Sequence, residues 1–419
     1  MDKEKLKILL KEQNDPVKNV KELVKRELLD EVKDKKSDLI VIVAGLRRVG
    51  KSTLMGEVRK GHLHDSYFVN FDDERLFDFT IEDFQMMQEI LLELYGERNT
   101  YFFDEIQNIP GWERFVRRLH DSGKKIYVTG SNASMLSREM GTHLTGRHLS
   151  YSLYPYSFKE FLDFKKYELP LSDVLTTVER STIKKYFNEY IEAGGIPEFV
   201  KTRDELYIKT LYENIIYRDI VARYNLKDEK ALKTTAYFAA SNIAKEISYN
   251  NIRKLTGLSS ATTIKEYFEY LENSYLAFLV PKFSTSLKTQ VYSNKKVYFV
   301  DTAIAKILGF RTSEDYGRIL ENIVFMELKR RNEEVYYHRE KKECDFVIRD
   351  GYNIREAIQV TQSLENPDTR AREIEGLLEA LKAYKLKEGL ILTDDTEDEI
   401  KMDARKIIVK PIWKWMLQE

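Results

Sequence analysis

Residues 38–52 read DLIVIVAGLRRVGKS, and this stretch decides the fold. Residues 38–44 are a near-continuous β-branched and apolar run, the pattern of a parallel-sheet strand buried on both faces. The run leads into Gly45-Leu46-Arg47-Arg48-Val49-Gly50-Lys51-Ser52, a full match to G-x-x-x-x-G-K-[ST], and a helix-like stretch follows from Lys51. The glycines let backbone N–H groups converge on a phosphate-sized nest, and the helix N-terminus adds partial positive charge. Lys51 is placed to reach the β- and γ-phosphates, and the Ser52 hydroxyl to ligate Mg²⁺. Gly45, Val49, Gly50, Lys51, Ser52 and Thr53 are therefore the expected binding residues for ATP.

Working outward, residues 66–70, 100–103 and 125–129 read as further strands, with amphipathic helices over 80–94 and 112–121. Strand and helix in alternation mean a parallel α/β sheet. In Phe102-Phe103-Asp104-Glu105 the apolar residues bury a strand and leave Asp104 at its C-terminal end, where ligands sit in open α/β sheets. Asp104 is expected to hold Mg²⁺ through water, and Glu105 to polarise the attacking water. Ser131 and Asn132 end the next strand within reach of a γ-phosphate. Arg147 is a candidate for charge stabilisation in its own or a neighbouring subunit, and a plain surface arginine fits it equally. Arg47 and Arg48 read as solvated or interfacial.

Composition narrows the remaining classes. At about 100–200 residues per domain, 419 residues make two to four domains. A hydrophobic fraction of 42% excludes a disordered chain, and only 18 Gly and 8 Pro exclude low-complexity architecture. Lys and Arg total 68 against 69 Asp and Glu, so any nucleic-acid contact must come from a local patch. Cys344 is the single cysteine, which excludes an internal disulfide and a Cys-rich zinc site, and it reads as packing. The six His show no metal-ligand spacing. The N-terminus lacks a signal-peptide pattern, and the longest apolar run of the first half, 39–46, falls short of the ~20 residues of a membrane span. A cytoplasmic protein without membrane contact is expected.

Several ordered stretches carry a resemblance: VAGLRRVGKSTLM, YFFDEIQNIPGWERFVRRL, YVTGSNASML, LTGRHLSYSLYPYSFKEFL, YIEAGGIPEF, YRDIVARYNLKD, ENIVFMELKRR, ECDFVI and AIQV. Together they make nearly the whole chain resemble the AAA-type (AAA+) P-loop ATPases of bacteria and archaea with a winged-helix middle and a C-terminal nuclease-like domain of unknown function. The domains expected on this reading are an N-terminal helical segment (1–36, apolar at Leu6, Leu9, Leu10, Val20, Leu23 and Val24), an AAA+ core (37–165), a helical lid or linker (166–231), a winged helix-turn-helix (232–312) and a PD-(D/E)XK-like α/β domain (313–419). AAA+ proteins commonly form rings in which arginines complete a neighbour's site, so a homo-oligomer is a candidate state.

The middle segment supports its assignment independently. Three helix-like stretches precede a β-ribbon, the order of a winged helix. Residues 232–300 hold nine basic and four acidic residues. Expected DNA contacts are Ser260, Thr262, Thr263 and Lys265 on the third helix, with Lys288, Lys295 and Lys296 on or near the wing. The same surface serves equally as a protein-interaction module. In the nuclease-like end, Glu321 sits on a helix and Asp345 starts a strand, but Gln359-Val360-Thr361 fills the (D/E)-x-K position. Gln is a neutral, weak metal ligand, Thr carries no positive charge, and Glu356 is out of phase with Gln359. The expectation is a retained fold with degenerate cleavage chemistry. The sequence thus points to an ATPase with ATP and Mg²⁺ as cofactors, coupled to a DNA- or protein-binding module. The alternatives are a nucleotide-gated regulator with negligible turnover and an ATP-regulated DNA nuclease.

Overall fold

Ile40–Gly45 forms the expected buried strand (β1), with all six residues inside. The computed structural model describes residues 1–14, 24–33, 38–133, 144, 146–170, 172, 174–309, 316–402 and 404–418. Val20, Leu23 and the 312/313 boundary lie outside the described residues. The chain divides into two units: Met1–Tyr154 with Asn273–Tyr275, and Pro155–Glu272 with Leu276–Glu419.

In the first unit β1 joins β2 (Ser66–Asn70), β3 (Thr100–Asp104), β4 (Lys125–Gly130) and β5 (His148–Leu153). The order is β2-β3-β4-β1-β5, and every pairing is parallel. The register sets Ala44 opposite Gly130 and Asn70 opposite Asp104, so the C-terminal strand ends share one edge. The amphipathic helix Lys3–Asn14 buries Leu6, Leu9 and Leu10 in the same apolar cluster as Tyr101, Phe103, Phe84 and Trp112. Phe84 stacks on Phe115 at 4.3 Å.

Residues 155–165, expected in the first domain, pack with the second unit. The Phe158 and Phe161 rings lie against Tyr190, and Tyr156 donates its N–H to the Gly195 carbonyl at 2.8 Å. A Cβ on Gly195 would stand 2.3 Å from the Tyr156 carbonyl oxygen, so only glycine allows this approach. Helices Thr177–Ala193, Pro197–Thr202 and Glu205–Asn214 follow, and a π-helical stretch, Ile215–Ala222, continues the last of them.

Next come helices Glu229–Ser241, Tyr249–Thr256 and Ala261–Asn273. Gly257, at φ 74, closes the second of these. They accompany an antiparallel sheet ordered β6-β8-β7, from β6 (Glu246–Ile247), β7 (Ala277–Pro281) and β8 (Lys295–Phe299). A short helix, Leu287–Tyr292, lies between β7 and β8 where a plain ribbon was expected. After helix Tyr316–Arg330 come β9 (Glu334–Arg339), β10 (Glu343–Asp350), β11 (Asn353–Val360), β12 (Glu388–Thr393), β13 (Asp398–Met402) and β14 (Arg405–Pro411). This mixed sheet runs β13-β14-β12-β11-β10-β9. Helix Pro367–Ala383 buries Leu377 and Leu381 against it.

Candidate nucleotide site

The site forms where β1 ends and the helix Lys51–Arg59 begins. Gly50 takes φ 100 as the residue before that helix. Gly45 is forced by packing, because a Cβ there would stand 2.2 Å from the Leu153 carbonyl oxygen of β5. Leu46 and Val49 are buried and anchor the loop, while Ser52 and Thr53 are exposed. The Lys51 side chain is only 4% exposed and folds across its own loop, donating to the carbonyls of Gly45 and Leu46 at 3.1 Å each. Its ammonium also lies 3.3 Å from Glu105 Oε1.

Asp104 ends β3 and is buried, and it accepts hydrogen bonds from the Thr129 hydroxyl and the Ser52 side chain. Burial raises its pKa despite those bonds. Glu105 follows in left-handed backbone at φ 52, and its N–H donates to Thr129 Oγ1 at 3.1 Å. Burial pushes the Glu105 carboxyl up, but Lys51, Gln107 and Arg47 outweigh it and bring the pKa down to about 2. Glu105 is thus held ionised beside a less acidic Asp104.

Lys51, Ser52, Asp104 and Glu105 therefore converge at one sheet edge. Ser131 and Asn132 follow β4 and are buried. Ser131 Oγ has no hydrogen-bond partner among the described residues, a buried polar atom that an oxygen-rich ligand would satisfy. The side chains present fit a phosphate group and a Mg²⁺ ion.

Three expectations change. Arg147 lies at the far end of the sheet: its carbonyl accepts from Ile40 N–H at 2.8 Å, and its Nε lies 3.4 Å from Asp121. Strand rise puts the length of β1, roughly 16 Å, between it and the loop, so it does not complete this chain's own site. Arg47 is not a solvated residue, since its side chain is 14% exposed and lies 3.7 Å from Asp72. Lys296 is not on an exposed wing. It is buried, with its ammonium 3.0 Å from Glu321, 2.9 Å from Asp345 and 2.7 Å from Glu343.

Two contributors escaped sequence reasoning. Thr129 joins Asp104 to the Glu105 backbone, and its only signal was a polar residue at a strand's end. Arg26 is buried and donates to the carbonyls of Val49 at 2.7 Å and Tyr154 at 2.5 Å, with no motif around it. Thr129→Val removes a hydrogen bond to an ionisable group and is expected to slow turnover about 10- to 100-fold with little change in ATP affinity. Steady-state kinetics beside equilibrium ATP binding checks this; equal losses in both would make Thr129 a binding residue.

Of the remaining sequence-derived positions, Thr262, Lys265 and Lys288 are exposed, and Ser260, Thr263 and Lys295 are half-buried. In the C-terminal unit Glu321 also accepts from the Tyr298 hydroxyl at 2.6 Å. Asp345 accepts from Val360 N–H at 2.9 Å and donates its own N–H to Gln359. Gln359 in turn donates to Glu373 on helix Pro367–Ala383. The Thr361 hydroxyl donates to the Ser363 carbonyl, and its N–H to the Leu392 carbonyl. Cys344 is fully buried, and burial pushes its thiol up.

Residues 37–162 match the family model described as an AAA domain. Residues 184–315 and 316–415 match two models described as domains of unknown function, DUF8612 and DUF4143. The chain is 36% identical to the uncharacterized protein MJ1544 of Methanocaldococcus jannaschii, covering 90% of this chain and 88% of that one. It is 29% identical to an uncharacterized protein of Haemophilus influenzae, covering 92% of this chain and 96% of the other. Among solved structures, the Thermotoga maritima RuvB Holliday junction branch migration motor aligns at 17% identity and a TM-score of 0.28, covering 67% of this chain and 88% of that one. No helix among the described residues is long and apolar enough to cross a membrane. With its phosphate loop, Asp104 and Glu105 inside an AAA-type P-loop domain, the chain belongs to the family of Methanocaldococcus jannaschii MJ1544.

Proposed function

We propose that the protein is a Mg-ATP-dependent AAA+ ATPase whose nucleotide state controls a DNA- or protein-binding winged-helix module in residues 232–312. The observation that carries this reading is the convergence of Lys51, Ser52, Asp104 and Glu105 at one sheet edge, with Lys51 already paired to Glu105.

Bound Mg-ATP supplies the scissile phosphoanhydride and a cation that disperses its charge. The backbone N–H groups of Gly45–Ser52 hold phosphate, and Ser52 and Asp104 hold the Mg²⁺. Thr129 fixes the Asp104 carboxylate and the Glu105 backbone together. Lys51 exchanges Glu105 for phosphate, and Glu105, ionised at neutral pH, then orients water. Asn132 supports the same group from the end of β4. Arg147, far from this chain's own loop, serves a neighbouring subunit's site if the protein assembles into a homo-oligomer.

The winged-helix reading is supported by three helices, the β6-β8-β7 sheet and the local excess of basic residues. Thr262, Lys265 and Lys288 are its exposed contacts. In the nuclease-like end, Gln359 and Thr361 in the third and fourth positions support a retained fold without cleavage.

The test is phosphate release by the wild type alone and with single-stranded, duplex or branched DNA. Turnover is expected, with stimulation by one DNA form. Turnover indifferent to every DNA form would assign the module to a protein partner. Tight ATP binding without phosphate release would replace the ATPase by a nucleotide-gated regulator.

A further inference from the structure

Two exposed surfaces, one in each unit, have no role in ATP hydrolysis. The first is the loop of residues 71–82, between β2 and the helix Asp83–Tyr95. It buries Phe71, Leu76 and Phe79 but sends Phe77 outward, 90% exposed, and Ile81 is exposed as well. The loop is pinned. The Phe79 ring meets Phe84 edge-on at 5.1 Å, Asp73 accepts from the Arg75 N–H at 3.1 Å, and the Arg75 guanidinium donates to Asp73 and Glu12. Phe77 is therefore held outward in advance, so docking it costs little ordering entropy. With Arg75 engaged in this way, the exposed Glu74, Asp78 and Glu82 make no ion pair among the described residues.

The second surface lies between β7 and β8. The helix Leu287–Tyr292 buries none of its six residues. Leu287 is 73% and Tyr292 81% exposed, and Val291 is exposed beside them in the helix. From 274 to 300 the sequence holds no Asp or Glu. Lys282, Lys288 and Lys295 belong to this stretch, and none of them makes an ion pair among the described residues. The segment is held at its ends: the Ser286 side chain accepts from the Thr289 N–H, and the Tyr337 hydroxyl donates to the Asn294 carbonyl at 2.8 Å. Single exposed apolar residues are ordinary, but apolar clusters rimmed by charge mark contact surfaces. These two match in apolar character and oppose each other in charge: three unpaired carboxylates accompany Phe77 and Ile81, and three unpaired lysines accompany Leu287, Val291 and Tyr292.

We propose that residues 282–295 of one copy dock on residues 71–82 of a second copy, with Tyr292 and Phe77 as aromatic anchors and the lysines facing the carboxylates. The apolar trio suits a protein face better than a phosphate backbone, and a face of matching chemistry is present in this chain. The contact is heterologous, so each end of a dimer keeps one surface for a further neighbour. Asp72, in the receiving loop, lies 3.7 Å from Arg47 of the phosphate loop, so a docked neighbour bears on a segment joined to the nucleotide site. The inference stands whether or not residues 37–162 hydrolyse ATP and whether or not residues 232–312 also bind DNA.

The test is sedimentation velocity of the full chain without nucleotide, over a concentration series. The wild type is expected to associate in the micromolar range, and more weakly as salt rises. Phe77→Ala and Leu287→Ala/Tyr292→Ala are each expected to weaken association at least about tenfold. The replaced side chains are all exposed, so both variants are expected to keep the wild-type melting midpoint. Mixing the two variants is expected to restore a dimer and nothing larger, because one supplies an intact 282–295 segment and the other an intact 71–82 loop. A wild type that is monomeric at every concentration, association that both variants retain, or a mixture that stays monomeric overturns the proposal. Assembly of the expected pattern in a protein that releases no phosphate supports this interface while overturning the ATPase reading.

Discussion

Lys51→Ala is expected to lower ATP turnover at least about 10³-fold, the scale of losing a charged donor at a transferring phosphoryl group. Lys51 is buried and bonded to the carbonyls of Gly45 and Leu46, so it shapes the empty loop as well as meeting the phosphates. Its loss also removes one of the contacts that, with Gln107 and Arg47, outweigh burial at Glu105, so the Glu105 pKa is expected to rise from about 2. The measurement is phosphate release beside thermal unfolding. An unchanged melting midpoint with lost turnover assigns the effect to chemistry. Unchanged turnover would remove the phosphate loop from the mechanism.

Lys296→Met carries the largest expected stability change, about 3–5 kcal/mol at neutral pH, because it strands buried carboxylates without their cation. The loss depends on pH with a definite sign. Burial and the neighbouring Asp345 push the Glu321 pKa up to about 8. A carboxyl raised in the folded state costs stability as pH climbs from its unfolded value toward its folded one, here between about 4.5 and about 8. Removing Lys296 raises Glu321 further and extends that window upward. The destabilisation is therefore expected to be small near pH 4.5, where Glu321 is protonated, and to grow toward pH 8. Thermal midpoints of wild type and variant at those two pH values decide it. Equal losses at both would show that Lys296 contributes packing and not charge.

The phosphate loop was legible because its chemistry is local. A β-branched run, two glycines and Lys-Ser within a few residues carry the strand, the nest and the cation together, and the structure puts β1 and the helix from Lys51 where that spacing implied. Asp104 and Glu105 were legible for the same reason, since an apolar strand leaves its polar residues at its end. Arg26 was not, because it reaches Val49 from a segment with no motif. Of the readings open for Arg147, only a role in this chain's own site is lost, because a strand has two ends and sequence spacing does not say which end faces the loop.

Lys295 and Lys296 mark the boundary between the two kinds of information. The sequence establishes two adjacent lysines at the start of a strand, and period-two alternation sends them to opposite faces. Which face meets solvent depends on how β8 pairs with β6 and β7 and on what packs against that sheet. Here the fold brings Glu321 from a helix and Glu343 and Asp345 from β10 to meet Lys296, while Lys295 stays half-buried. Local pattern therefore settled β1 to β4, the helices that follow them in the first unit and the phosphate loop, but not β5, β13 or β14. The burial and partners of a charged side chain are sums over contacts distant in the chain, so only the tertiary structure decided that Lys296 belongs to the carboxylate centre and not to an exposed wing.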